Sequence, residues 1–110
     1  MLLQEPNLKV WLYGPPTDMR KQFDGLAALA QSGIGVRANN GDVFVFVNRR
    51  RTMMKALYYS SGGFCLWAKR LERGHFSKTT KETKKALTWA QLQCLIAGIN
   101  WQERPHNKRL

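Results

Sequence analysis

Residues 43–47 read Val-Phe-Val-Phe-Val, apolar at every position. A strand with one face in water alternates apolar and polar residues, so this one calls for burial on both faces and a central place in its sheet. A polar turn at 48–52 follows, then a second strand at 53–60 (MMKALYYS), a turn at Ser61-Gly62-Gly63 and a third strand at 64–71 (FCLWAKRL). That spacing is an antiparallel meander. Upstream, residues 8–13 (LKVWLY) carry strand-forming side chains and stop at Gly14-Pro15-Pro16, which gives a fourth strand.

Two amphipathic helices complete the pattern. Thr17 and Asp18 offer side-chain oxygens as an N-cap, and Met19, Phe23, Leu26, Ala27 and Ala30 recur on one helical face until about Gln31. Residues 33–41 read as a connector with a turn at Asn40-Gly41, and residues 78–85 (KTTKETKK) as a solvated arm. Thr88, with Gln91 three residues on, makes a capping box for a last helix whose stripe is Leu92, Leu95, Ile96 and Ile99, ending at Gly98-Ile99-Asn100. The expected fold is α+β: an antiparallel sheet of about four strands around the central three-strand meander, with both helices packed on it. A chain of 110 residues, 44% hydrophobic, supports one core. The domain is expected over residues 8–101, with 1–7 a loose lead-in and 102–110 a basic, frayed tail.

Charge narrows the partners. Eighteen Lys and Arg against seven Asp and Glu give a net +11, which favours a polyanion. Eleven of those bases, against Glu72 and Glu82 alone, fall within residues 49–85. In a meander, the turn carrying Arg49, Arg50 and Arg51 lies at the same end of the sheet as Lys69, Arg70 and Arg73. If Ser60 faces Phe64 across the second turn, Lys55 stands opposite Lys69; a slip of one residue puts it opposite Arg70. Either way like charges meet, a cost that phosphate oxygens relieve. Candidate nucleic-acid contacts are therefore Arg49, Arg50, Arg51, Lys55, Lys69, Arg70 and Arg73, with Arg20 and Lys21 as weaker ones. Trp11, Tyr58, Tyr59 and Trp67 suit core packing better than base stacking, since they sit in strands that need core residues. Asp18 is read as a helix cap, and Asp24 as the partner of a neighbouring base.

Catalytic chemistry has little to build on. Metal-dependent phosphate chemistry needs two or three convergent carboxylates; Asp18 and Asp24 point to different sides of a helix, and Glu72 lies between Arg70 and Arg73. His75 has no nucleophile placed beside it by sequence. Cys65 and Cys94 are neither a disulfide framework nor spaced with His75 and His106 as a zinc site, and are expected to be buried thiols. No catalytic residue, metal or cofactor is assigned. The start carries no secretory pattern, and no apolar run nears the roughly 18 residues that cross a bilayer, so a cytoplasmic protein with no membrane partner is expected.

Several segments are more specific. Thr17–Leu26 (TDMRKQFDGL), Phe44-Val45-Phe46 with Asn48-Arg49-Arg50, Lys55-Ala56-Leu57-Tyr58 and Gly62–Leu66 (GGFCL) come in this order. Lys69–Phe76 (KRLERGHF), Leu87–Leu92 (LTWAQL) and Gly98–Trp101 (GINW) follow. Together, over about residues 8–101, they resemble the TnpB-type accessory proteins of the insertion sequence sixty-six family. One departure stands at Phe76, followed here by Ser77-Lys78 where the family carries Trp-Pro. The resemblance implies a bacterial mobile-element protein acting beside a separate, larger transposase. Joined to the charge pattern, it gives a non-catalytic accessory protein of DNA transposition, associated with the nucleoid, that binds DNA through a basic patch at one end of the sheet. Two other readings stay open: an adaptor that docks the transposase, and a metal-dependent nuclease.

Overall fold

A computed structural model describes residues 8–77 and 80–98. Five strands form one sheet: β1 (Val10–Tyr13), β2 (Val43–Val47), β3 (Met53–Ser60), β4 (Gly63–Arg70) and β5 (Lys84–Leu87). Their order across the sheet is β4-β3-β2-β1-β5, so the Val-Phe-Val-Phe-Val strand is the middle one, and all five of its residues are buried. Side-chain alternation sends its valines and its phenylalanines to opposite faces. Val43, Val45 and Val47 join Val10, Leu12, Met54 and Ala56 in one core, roofed by Phe76 and by Leu92 and Leu95 of α2 (Trp89–Ala97). Phe44, Phe46 and Leu57 form the other, covered by Leu26 of α1 (Phe23–Leu29) and by Ala30 and Ile34 of the π-helical turn that extends it over Ala30–Ile34.

The fold is α+β with two helices on a sheet, as the sequence indicates, but the sheet is mixed and has five strands. β1 runs parallel to β2, with Val10 beside Val43 and Leu12 beside Val45. The long connection through α1 supplies the crossover that a parallel pair requires. β5 lies antiparallel on the outer edge of β1 and begins within the stretch 78–85 expected to be a solvated arm. Its sequence, Lys-Lys-Ala-Leu, hides the strand because only Leu87 is fully buried. Lys84 places its Nζ over the Trp11 ring, 5.5 Å from the centroid, and donates to the Ile34 carbonyl at 3.1 Å. Lysines on an edge strand also discourage pairing with a further chain.

α1 starts later than its apolar stripe suggests. Its N-cap is Gln22, with no side-chain bond, and neither Thr17 nor Asp18 caps it. Thr17 is buried and donates its amide to the Val47 carbonyl at 3.0 Å, so residues 17–22 clasp the end of β2 before the helix begins. At its other end the helix runs past Ser32-Gly33, closed by the Gly35 amide on the Ala30 carbonyl at 2.9 Å. α2 follows expectation. Thr88 Oγ1 accepts from the Gln91 amide at 3.1 Å, Gln91 Oε1 accepts from the Thr88 amide at 2.9 Å, and Gly98 ends the helix. Cys65 and Cys94 are free and half-buried rather than fully buried. Ile99, the lead-in 1–7 and the tail 102–110 lie outside the described residues.

Gly14 fixes how β5 meets β1. Its amide donates to the Thr83 carbonyl at 2.8 Å, and a Cβ there would overlap the backbone carbonyl of Glu82. Gly14→Ala is expected to cost about 2–3 kcal/mol of stability, read by chemical denaturation; an unchanged midpoint would show that residues 80–83 do not pack this closely against β1.

Candidate nucleic-acid interface

β1, β2 and β4 all run in one direction, so the ends of these three strands gather at one pole of the sheet. The 48–52 turn there is built by Asn48. Its Oδ1 accepts the Thr52 and Met53 amides at 2.9 and 3.0 Å, and its carbonyl accepts the Arg51 amide at 3.0 Å. The segment after β4 then fastens onto this turn. Leu71 donates to the Thr52 carbonyl at 2.8 Å and Phe76 to the Arg51 carbonyl at 2.7 Å. His75 Nδ1 lies 2.8 Å from the Arg50 carbonyl; a carbonyl only accepts, so Nδ1 carries the proton. Arg49–Arg51 and the 69–73 stretch thus share one pole, held by backbone hydrogen bonds.

The register differs from both versions drawn from the sequence. Ser61 and Gly62 take φ of 52° and 83°, closing the hairpin as a two-residue turn in which Ser60 pairs with Gly63. Lys55 therefore stands opposite Ala68, Lys69 opposite Met54 and Arg70 opposite Met53. Lys55 and Lys69 fall on opposite faces, and the expected clash of like charges does not exist.

Each lysine instead serves the fold. Lys55 is only 6% exposed, and its Nζ donates to the carbonyls of Met19 at 2.7 Å and Lys21 at 2.8 Å, fixing the segment before α1. Lys69 Nζ donates to the Ile96 carbonyl at 2.7 Å, placing a cation at the C-terminal end of α2, where the helix dipole favours one. The arginines are disposed otherwise. Arg49, Arg50 and Arg73 are exposed and Arg51 half-exposed, and none has a carboxylate partner among the described residues. Arg70 meets Glu72 at a loose 3.4 Å, with both side chains largely in solvent.

In the segment that clasps the end of β2, Arg20 pairs with Asp18 at 2.7 Å, and Asp18 also accepts the Arg20 amide. The hydrogen bonds from the Arg20 guanidinium hold the Asp18 carboxyl well below the usual carboxylate range, and Arg20 is raised in turn. Arg20 is thereby occupied, whereas Lys21 and Asp24 are exposed. Trp11 donates Nε1–H to Asp42 at 3.0 Å, Tyr59 stacks edge-on with Phe64, and Tyr58 and Trp67 pack against the core, as expected of core aromatics. Burial pushes the Tyr58 phenol up.

Beside the arginine turn, a cleft of about 350 Å³ opens between Gly14, Pro16, Val47, Arg49, Arg51, Thr80 and Lys81. Sequence reading missed Thr80 and Lys81 as part of this pole because their position depends on β5. The polar run 78–85 was the available signal. Among the described residues, no three His, Cys, Asp or Glu side chains gather as a metal site would require, and no helix is long and apolar enough to cross a membrane. Arg49, Arg50 and Arg73 present exposed guanidinium groups at this pole.

The fold is a small mixed sheet with helices on both faces, and the comparisons give its family. The family model described as IS66 Orf2 like protein matches residues 8–106, and the chain belongs to that family of transposition-associated accessory proteins. It is similar to two proteins of Sinorhizobium fredii (strain NBRC 101917 / NGR234). Uncharacterized protein y4hO is 36% identical over 103 residues, covering 93% of this chain and 90% of the relative. Uncharacterized protein y4jC is 30% identical over 96 residues, covering 86% and 82%. No solved structure matches the chain.

The division between lysines and arginines is testable. Lys55→Met leaves two part-buried carbonyls without this donor and is expected to lower stability by about 1–3 kcal/mol, while Arg49→Ala changes it by no more than about 0.5 kcal/mol. Equal costs in thermal or urea denaturation would contradict the buried role of Lys55.

Proposed function

We propose that this chain is a non-catalytic accessory protein of DNA transposition that binds DNA phosphates through the arginine-bearing pole of its sheet. The observation that carries the reading is the fastening of residues 71–76 onto the 48–52 turn, which gathers Arg49, Arg50, Arg51 and Arg73, without carboxylate partners among the described residues, at one pole. Arginine's planar fork suits bidentate phosphate contact, and the family places the protein beside a DNA transaction. The contact set is Arg49, Arg50, Arg51, Arg70 and Arg73, joined by Lys81. Lys55 and Lys69, committed to carbonyls, hold the scaffold. Nucleoid association follows from DNA binding.

Counterion release gives the test. With five or six phosphate contacts, log affinity for duplex DNA is expected to fall against log salt with a slope of about −4.5 to −5.5, measured by fluorescence anisotropy. A slope near zero, or no affinity at low salt, would remove the reading.

A further inference from the structure

The exposed arginines lie where a flat patch would put them, but the cleft beside them is concave and more particular. It lies beyond the C-terminal ends of β1 and β2, the adjacent parallel strands joined through α1. In open α/β sheets ligands enter crevices outside the carboxyl ends of parallel strands, and the β1–β2 pair shares that local geometry. Arg49, Arg51 and Lys81 line it together with the apolar Pro16 and Val47, and no carboxylate is among the described lining residues. Thr80 Oγ1 accepts the Glu82 amide at 3.1 Å, which leaves its hydroxyl proton to donate elsewhere. The volume, about 350 Å³, lies at the small end of ligand-binding clefts and suits a phosphate with its attached sugar.

Arg51 supplies an independent observation. Its φ is 59°, a left-handed conformation that costs any residue with a Cβ and that glycine or asparagine adopts more readily. Its carbonyl is turned to Phe76 and its amide to Asn48, while the residue forms part of the cleft wall. A turn selected for stability alone would place Gly here. A strained arginine beside an anion-sized crevice points to a role for its side chain.

We propose that this cleft seats a single phosphate group of a DNA strand, shared between Arg49, Arg51 and Lys81. The proposal rests on the DNA-binding reading above and adds to it one defined position on the strand. The same chemistry accommodates a phosphodiester within the backbone or a phosphate at a strand end.

The experiment is a double-mutant cycle on the full chain with Arg51→Gly and Lys81→Ala, titrated with duplexes of one sequence carrying either a 5′-phosphate or a 5′-hydroxyl. Arg51→Gly relieves the left-handed strain, so a melting temperature at or above that of the unsubstituted protein is expected and unfolding does not confound the result. Each single variant is expected to lose about tenfold in affinity. The double variant is expected to lose little more than either single, because one phosphate couples the two side chains. A strong preference of the unsubstituted protein for the 5′-phosphate assigns the seat to a strand end, and equal affinities assign it to an internal phosphate. Additive losses of about a hundredfold, or no loss in either single variant, would overturn the seat while leaving DNA binding intact. Absence of DNA affinity in the unsubstituted protein would instead overturn the underlying reading.

Discussion

A strand that is apolar on both faces has to be covered twice, and this requirement organises the molecule around β2. Each large side chain of that strand contributes roughly 1.5–3 kcal/mol when fully buried, a gain realised only if cover arrives from both sides. α1 and the π-helical turn cover the phenylalanine face, and α2 with Phe76 covers the valine face. The residues that cross between these layers meet at one pole: Gly14–Thr17 leaving β1, the turn leaving β2, residues 71–77 leaving β4 and residues 80–83 entering β5. The cationic pole is therefore a consequence of where the connections must run.

Within that pole the two kinds of cation do different work. A lysine ammonium is a compact donor on a flexible stem, well suited to reaching a backbone carbonyl of a neighbouring element. Lys55, Lys69 and Lys84 each do so, at Met19 and Lys21, at Ile96, and at Ile34. Arginines 49, 50, 51 and 73 remain turned outward, where no described carboxylate neutralises them. A net charge of +11 therefore overstates the surface available to a ligand, because several charges are internal fastenings. Once Lys55 and Lys69 are placed, the case for an anionic partner rests on unpartnered arginines and no longer on lysines forced together.

What was legible in the sequence depends on which property each inference used. That Arg49–Arg51 and Lys69–Arg73 share a pole follows from counting strand reversals, which a slip in register does not alter. That Lys55 faces Lys69 depends on register, and a slip of one residue sends every side chain to the other face. Ser61-Gly62-Gly63 permits either reading, and the left-handed Ser61-Gly62 pair selects the shorter turn. β2 and the capping box of α2 were readable because periodicity and a local reciprocal bond determine them. The start of α1 was not, since Asp18 is drawn to Arg20 instead of to the helix. β5 was concealed by its lysines, which read as solvated charge although Lys84 sits over the Trp11 ring and bonds to Ile34, and with it went Lys81 and the cleft.

The most direct measurement follows the cations themselves while DNA is added at low salt, by nuclear magnetic resonance of the arginine Nε–H and lysine ammonium groups. The account predicts movement of Arg49, Arg50, Arg51 and Arg73, with the Lys55 and Lys69 signals unperturbed. Perturbation centred on the Ser61-Gly62 end of the sheet, or an early shift of the Lys55 ammonium, would contradict it.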